Sequence, residues 1–246
     1  MQDNQQAYDR GTSIFSPDGR LYQVEYAREA VKRGSASVGV KTREGVVLAA
    51  RRRVRSSLMD PDSVEKLHEI DGHLGVASAG HAADARQLVE FAREAAQRER
   101  LRFDEPLGVE TLTKELADHV QEYTQKGGAR PFGTALLVGG IGDSGPALYE
   151  TDPSGTPSAW NAAAVGRNSA EIQDYLEAEY VADADLESGV DLALSALAAP
   201  TEDGFDTADV GIATVTNANG YRQLDEDERR ERLDALGLLD DGQQAS

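Results

Sequence analysis

The chain predicts an α+β protein: a four-layer αββα sandwich, two mainly antiparallel sheets covered by helix pairs, with an additional N-terminal helix. Three observations predict it. Helix-period segments come in pairs between blocks of short strand-period runs, whereas single helices alternating with strands would indicate a doubly wound parallel sheet. A length of 246 residues at 39% apolar composition suits one large core. No repeat, low-complexity tract or linker divides the sequence, which reads as a single domain (13–238) between a mobile tail (1–12) and a flexible acidic tail (239–246).

The elements follow in order. Residues 1–12 are polar and carry no apolar period. Ser16-Pro17-Asp18-Gly19 is a turn that opens a helix over 20–33, with Leu21, Val24, Ala27 and Val31 on one face and Tyr22 and Tyr26 beside it. Gly34 stops that helix. Strand-type runs at 35–41 and 46–50 flank the turn Arg43-Glu44-Gly45, and two more lie near 67–70 and 74–79. Two long helices are expected over 82–102 and 106–126. The second places Val109, Leu112, Leu116, Val120 and Tyr123 at spacings of three and four, and Gly127-Gly128 ends it. Strands resume over 133–140, 147–151 and 159–165. Helices over 169–181 and 186–198 form the next pair, closed by Pro200. A strand over 210–216, a short one over 221–224 and a charged helix over 226–236 complete the body.

Composition excludes several classes. There are no cysteines, hence no disulfide framework, thiol nucleophile or thiolate metal site. No apolar run approaches the roughly 18 residues of a membrane span, and the first residues lack a basic stretch leading into an apolar one. A soluble, cytoplasmic protein is expected. The 25 Lys+Arg against 44 Asp+Glu give a formal charge of −19, which repels nucleic acid and anionic membrane. Lysine is scarce (Lys32, Lys41, Lys66, Lys114 and Lys126), and acidic residues are spread along the whole chain. That distribution favours adaptation to high salt over an acidic substrate-excluding or cation-binding surface, because self-repulsion is screened within roughly 3 Å at molar salt.

The candidate chemistry is sparse. Gly34-Ser35 heads the first strand, where a serine freed by cleavage after glycine would offer an amine and a hydroxyl as base and nucleophile. No acidic residue ends the second strand to orient such a nucleophile: Arg51 stands there, followed by Arg52 and Arg53. Gly142-Asp143-Ser144-Gly145 matches the nucleophile motif of trypsin-like serine proteases. Without cysteine, and with only His68, His73, His81 and His119 scattered elsewhere, it reads as a hairpin turn. Gly139-Gly140 with Gly142 lacks the Lys-Ser/Thr ending of a phosphate loop. The histidines propose no metal site. The cluster Arg51-Arg52-Arg53 with Arg55 reads as an ion-pairing face toward acidic neighbours.

The densest motif lies in the first thirty residues. Tyr8-Asp9-Arg10, then Phe15-Ser16-Pro17-Asp18-Gly19-Arg20, then Gln23-Val24-Glu25-Tyr26-Ala27 is similar to the N-terminal signature of α-type subunits of the archaeal 20S proteasome, in a form suited to high salt. Val64-Glu65-Lys66-Leu67, Arg130-Pro131-Phe132-Gly133 and the element order extend the resemblance over about residues 1–238. It implies the N-terminal-nucleophile hydrolase type of sandwich and no cofactor.

It further implies a non-catalytic, gating role in a seven-membered α ring stacked on β subunits, which carry out the hydrolysis. Tyr8, Asp9, Arg10, Pro17 and Tyr26 correspond to the gating residues. Pro17 has a fixed φ that stiffens the turn beside the tail. Lys66 corresponds to a lysine that receives the C-terminal carboxylate of an AAA+ ATPase activator, in a pocket between neighbouring α subunits. Gly34 leaves room for the incoming chain. His81 stands on another wall of that pocket, where an apolar residue is common. Unfolded protein substrates would pass in transit. Two other readings stay open on the residues alone: a self-processing hydrolase acting alone, and an acidic assembly scaffold without a gate.

Overall fold

A computed structural model describes residues 22–54, 56, 58–125, 129–201 and 204–240. Helix α1 (Tyr22–Arg33) leads into strands β1 (Ser37–Lys41) and β2 (Gly45–Arg51). A short 3-10 turn precedes β3 (Leu67–Asp71) and β4 (Leu74–Gly80). Helices α2 (Ala82–Phe103) and α3 (Val109–Gln125) follow. Then come strands β5 (Thr134–Gly142), β6 (Gly145–Thr151), β7 (Pro157–Trp160) and β8 (Ala162–Val165). Helices α4 (Ser169–Glu179) and α5 (Leu186–Ala198), strands β9 (Val210–Thr216) and β10 (Gly220–Gln223), and helix α6 (Glu226–Ala235) complete the order. None of the described helices is long and apolar enough to cross a membrane.

The strands form two five-stranded sheets, β10-β9-β2-β1-β8 and β3-β4-β5-β6-β7, with every pairing antiparallel. Period-two alternation makes each strand serve two cores at once. In β2, Val46, Leu48 and Ala50 enter the cluster between the sheets, together with Ala77, Ala79, Ala135 and Leu137. The alternate residues Val47 and Ala49 pack outward with Ile172, Leu194 and Leu197 of α4 and α5. On the other sheet Val76, Leu136 and Val138 face Leu88, Leu112 and Leu116 of α2 and α3. Three cores between four layers are thus the expected sandwich.

The expected element order holds with one correction. The run 159–165 is two strands in different sheets: β7 pairs with β6, β8 pairs with β1, and the chain crosses over at Asn161, whose carbonyl accepts from Lys41 N (2.7 Å). The small apolar residues after Asn161, Ala162 to Val165, carry no alternation that would mark the crossing. The segment Gly142-Asp143-Ser144-Gly145 is the β5–β6 hairpin, with Gly142 opposite Gly145.

Helix α1 lies over one end of the sandwich. Val24, Ala27 and Val31 are buried on its inner face, and Val31 joins the cluster between the sheets. Arg28 donates to Asp152 Oδ2 through Nε (3.0 Å) and Nη2 (2.8 Å), fixing the helix to the turn after β6. At the other end of the chain, Phe205 N donates to Leu238 O (2.7 Å), and Asp240 N donates to Phe205 O (3.1 Å).

Candidate functional site

At the C-terminal end of α1, three backbones meet without side chains between them. A Cβ on Gly34 would sit 2.4 Å from Gly80 N, and Gly80, at φ +115°, would bring one 2.3 Å from Gly133 O. Gly34 N donates to Val31 O (2.9 Å), and Gly34 O accepts from Arg167 N (2.8 Å). Gly34 therefore permits the close approach of α1 to β4. Because the obstacle is backbone, Gly34→Ala is expected to lower stability by about 1–3 kcal/mol, measured as a shifted denaturation midpoint with an unchanged slope.

His81 N donates to Gly133 O (2.8 Å) and His81 is the N-cap of α2, without a side-chain cap hydrogen bond. One turn on, the buried Asp84 accepts from Gly133 N (2.8 Å) and from both Nη atoms of Arg130 (2.6 Å each). Burial works against this carboxylate, but the hydrogen bonds from Arg130 and Gly133 outweigh it and hold its pKa below the usual carboxylate range. The Arg130–Gly133 motif thereby pins the start of α2 to the start of β5.

Lys66 immediately precedes β3, and its carbonyl accepts from Ser78 N (3.0 Å). Its Nζ points into the fold. It donates to Ser35 O, to Ser35 Oγ (3.0 Å), to Ala36 O (3.2 Å) and to Arg51 O (3.4 Å). Burial pushes its pKa down to about 7. The ammonium is thus desolvated and held by main-chain carbonyls that cannot neutralise it.

A cavity of about 1250 Å³ spans these elements, lined among others by Tyr26, Gly34, Lys66 and His81. Every described residue that the resemblance assigned to gating or docking therefore lines one space, while Tyr8, Asp9, Arg10 and Pro17 lie outside the described residues. Tyr26 is half exposed at the rim, and the His81 side chain is largely exposed.

Sequence reasoning missed His68 as a member of this wall. It is buried, burial pushes its pKa down, and its Nε2 has no hydrogen-bond partner among the described residues. Only its second place in β3, on the Lys66 side of the strand, could have flagged it. Chemically, the cavity offers a desolvated cation, a neutral imidazole and an aromatic rim, a lining suited to an anionic group on an apolar stem.

Ser35 Oγ accepts from Lys66 Nζ, and no described carboxylate is hydrogen-bonded to it. Arg51 ends β2 with its guanidinium 4.9 Å over the Phe205 ring and Nη1 3.5 Å from Thr201 Oγ1.

Comparison with known proteins bears on this geometry. Residues 31–215 match the family model described as "Proteasome subunit", and residues 8–30 match the model for the N-terminal signature of A-type proteasome subunits. The chain is 61% identical over 240 residues to "Proteasome subunit alpha 2" of Haloarcula marismortui, covering 97% of this chain and 98% of that protein. It is 58% identical over 241 residues to "Proteasome subunit alpha" of Natronomonas pharaonis, covering 97% and 94%. To "Proteasome subunit alpha 1" of Haloferax volcanii it is 57% identical over 239 residues, covering 97% and 95%. The acidic, lysine-poor composition is in keeping with these salt-loving sources. Two antiparallel sheets between helix pairs, an extra helix over one end and matches of this length make the chain a member of the proteasome subunit family, of the α type.

Proposed function

We propose that this chain is a non-catalytic α-ring subunit of a 20S proteasome core particle, one that gates substrate entry and docks an ATPase activator. Seven copies associate head to tail into a closed ring through a heterologous interface, stacked on β subunits that carry out hydrolysis. Tyr26, Gly34, Lys66 and His81 lining one cavity at the base of α1 is the observation that carries the reading. The activator's C-terminal carboxylate enters that cavity and takes the Lys66 ammonium from its carbonyl acceptors. The entrance beside α1 then shifts, and the segment holding Pro17 favours ordered, open tails built on Tyr8, Asp9 and Arg10. Unfolded substrates pass through the opened pore.

Deleting residues 2–12 tests the gate. Particles reconstituted with a β subunit should hydrolyse small peptides severalfold faster than full-length ones when no activator is present. An unchanged rate would remove the tail from the mechanism and leave an ungated scaffold.

One observation favours a second reading. Lys66 Nζ lies 3.0 Å from Ser35 Oγ, the spacing of a base and its nucleophile. Against it, the same Nζ is shared with three carbonyls, Arg51 replaces the acid, and both backbone polar groups of Gly34 are hydrogen-bonded. Intact mass separates the readings: loss of the first 34 residues, with turnover by the isolated chain, supports the hydrolase.

A further inference from the structure

Adjoining the docking cavity, and sharing Arg33, Ser35 and Arg53 with it, lies a second cavity of about 450 Å³, and we propose that it binds acidic peptide segments. Its wall carries Arg33, Arg51, Arg52, Arg53 and Arg167, a concentration of cations at odds with a formal charge of −19. Arg52 is committed to Asp62 (3.0 Å) and Arg51 to the Phe205 ring and Thr201. Arg33, Arg53 and Arg167 make no salt bridge to a carboxylate among the described residues. Among the described residues, Arg167 Nη2 donates to Arg33 O (3.3 Å). Asp209 is the one described carboxylate on the wall.

Helix α4 begins at the same place. Its N-cap Asn168, at φ 56°, makes no side-chain cap hydrogen bond, so the positive end of an eleven-residue helix adds to the arginines.

The rest of the lining decides the ligand class. Val54 and Pro200, both half-buried, supply an apolar floor beside the guanidinium groups. A bare inorganic anion would occupy a small part of this volume and leave that floor wet. A peptide that alternates carboxylate and aliphatic side chains uses both parts. The planar guanidinium fork matches a carboxylate through two parallel hydrogen bonds. Such short-range bonds and apolar contact persist in concentrated salt, where longer-range attraction is screened.

The test uses the full-length chain in concentrated potassium chloride. The probe is a fluorescent peptide of alternating glutamate and leucine, N-acetylated and C-terminally amidated so that it carries no terminal carboxylate for the Lys66 cavity, followed by anisotropy. Binding should be saturable, and about tenfold weaker for the glutamine counterpart and for each of Arg53→Ala and Arg167→Ala. Tyr26→Ala, in the other cavity, should leave it unchanged. Both arginines are exposed, and melting curves report whether the variants fold. Independently of any variant, the peptide should slow amide exchange over residues 168–172. The proposal is overturned by absent binding, by full affinity in the double arginine variant, by loss of binding in Tyr26→Ala or by unchanged exchange at 168–172. Displacement by an equal concentration of sodium pyrophosphate would also overturn it, since the arginines would then hold a bare oxyanion.

Discussion

Replacing Lys66 by alanine should weaken capture of an activator's C-terminal peptide by about ten- to a hundredfold, the range for losing a charge-assisted hydrogen bond. Stimulation of peptide hydrolysis should vanish with it, measured against the unstimulated rate of the same particles. The size of the effect follows from where the ammonium sits. The side chain is half-buried with its ammonium turned inward, and its acceptors in the free protein are three main-chain carbonyls and one hydroxyl, none of which carries charge. A terminal carboxylate supplies the missing charge in a site that water screens poorly. Truncation also leaves Ser35 O without its Lys66 donor, a cost of about 1–3 kcal/mol set against relief of the desolvation that the ammonium itself suffers. Lys66→Gln separates the two consequences, because it keeps hydrogen-bond donors and removes the charge. If Lys66→Gln still supports stimulation, charge is not what the activator reads and the docking assignment fails.

How much of this could be read from the sequence differs by element. The helices were legible because their apolar residues recur at three and four: the expected span 186–198 is the observed α5. The four layers were legible because pairs of helices separate blocks of strands. The crossing at Asn161 was not, since Ala162 to Val165 offer no polar residue to show which face turns inward. The candidate site was legible as a set of positions, not as a set of contacts. Tyr26, Gly34, Lys66 and His81 are up to 55 positions apart (from Tyr26 to His81), and only sheet pairing brings them to one cavity. Two features were out of reach: the inward turn of Lys66 onto Ser35, Ala36 and Arg51, and the clustering of Arg33 and Arg167 beside Arg51. Each depends on contacts between residues at least 15 apart in the chain. Arg53, by contrast, stands in a visible run of arginines, which sequence reasoning assigned to ion pairing with acidic neighbours.

The desolvation of Lys66 makes docking pH-dependent, with a sign that can be worked out. Its pKa in the free pocket is pushed down to about 7 from the ordinary 10.5. With proton affinity lower in the folded than in the unfolded chain, this group penalises folding fully below pH 7, and the penalty fades as pH rises toward 10.5. Docking runs the opposite way, because the carboxylate needs the ammonium. The competent fraction is about one half at pH 7 and about one hundredth at pH 9, so the apparent Kd of an activator C-terminal peptide should rise roughly fiftyfold between them. His68, held below its usual range by burial, stays neutral throughout that window and contributes no slope. Lys66→Arg is the control: a guanidinium stays charged across this range, so its pH profile should be flat even where its affinity is lower. Titrating labelled peptide by anisotropy from pH 6 to pH 9 would decide the matter. A flat profile in the unmodified chain, or an equal slope in Lys66→Arg, would mean that the titrating group is not Lys66. In the flat case the carboxylate would be held by a permanently charged side chain of the same wall, with Arg33, Arg53 and Arg86 as the candidates.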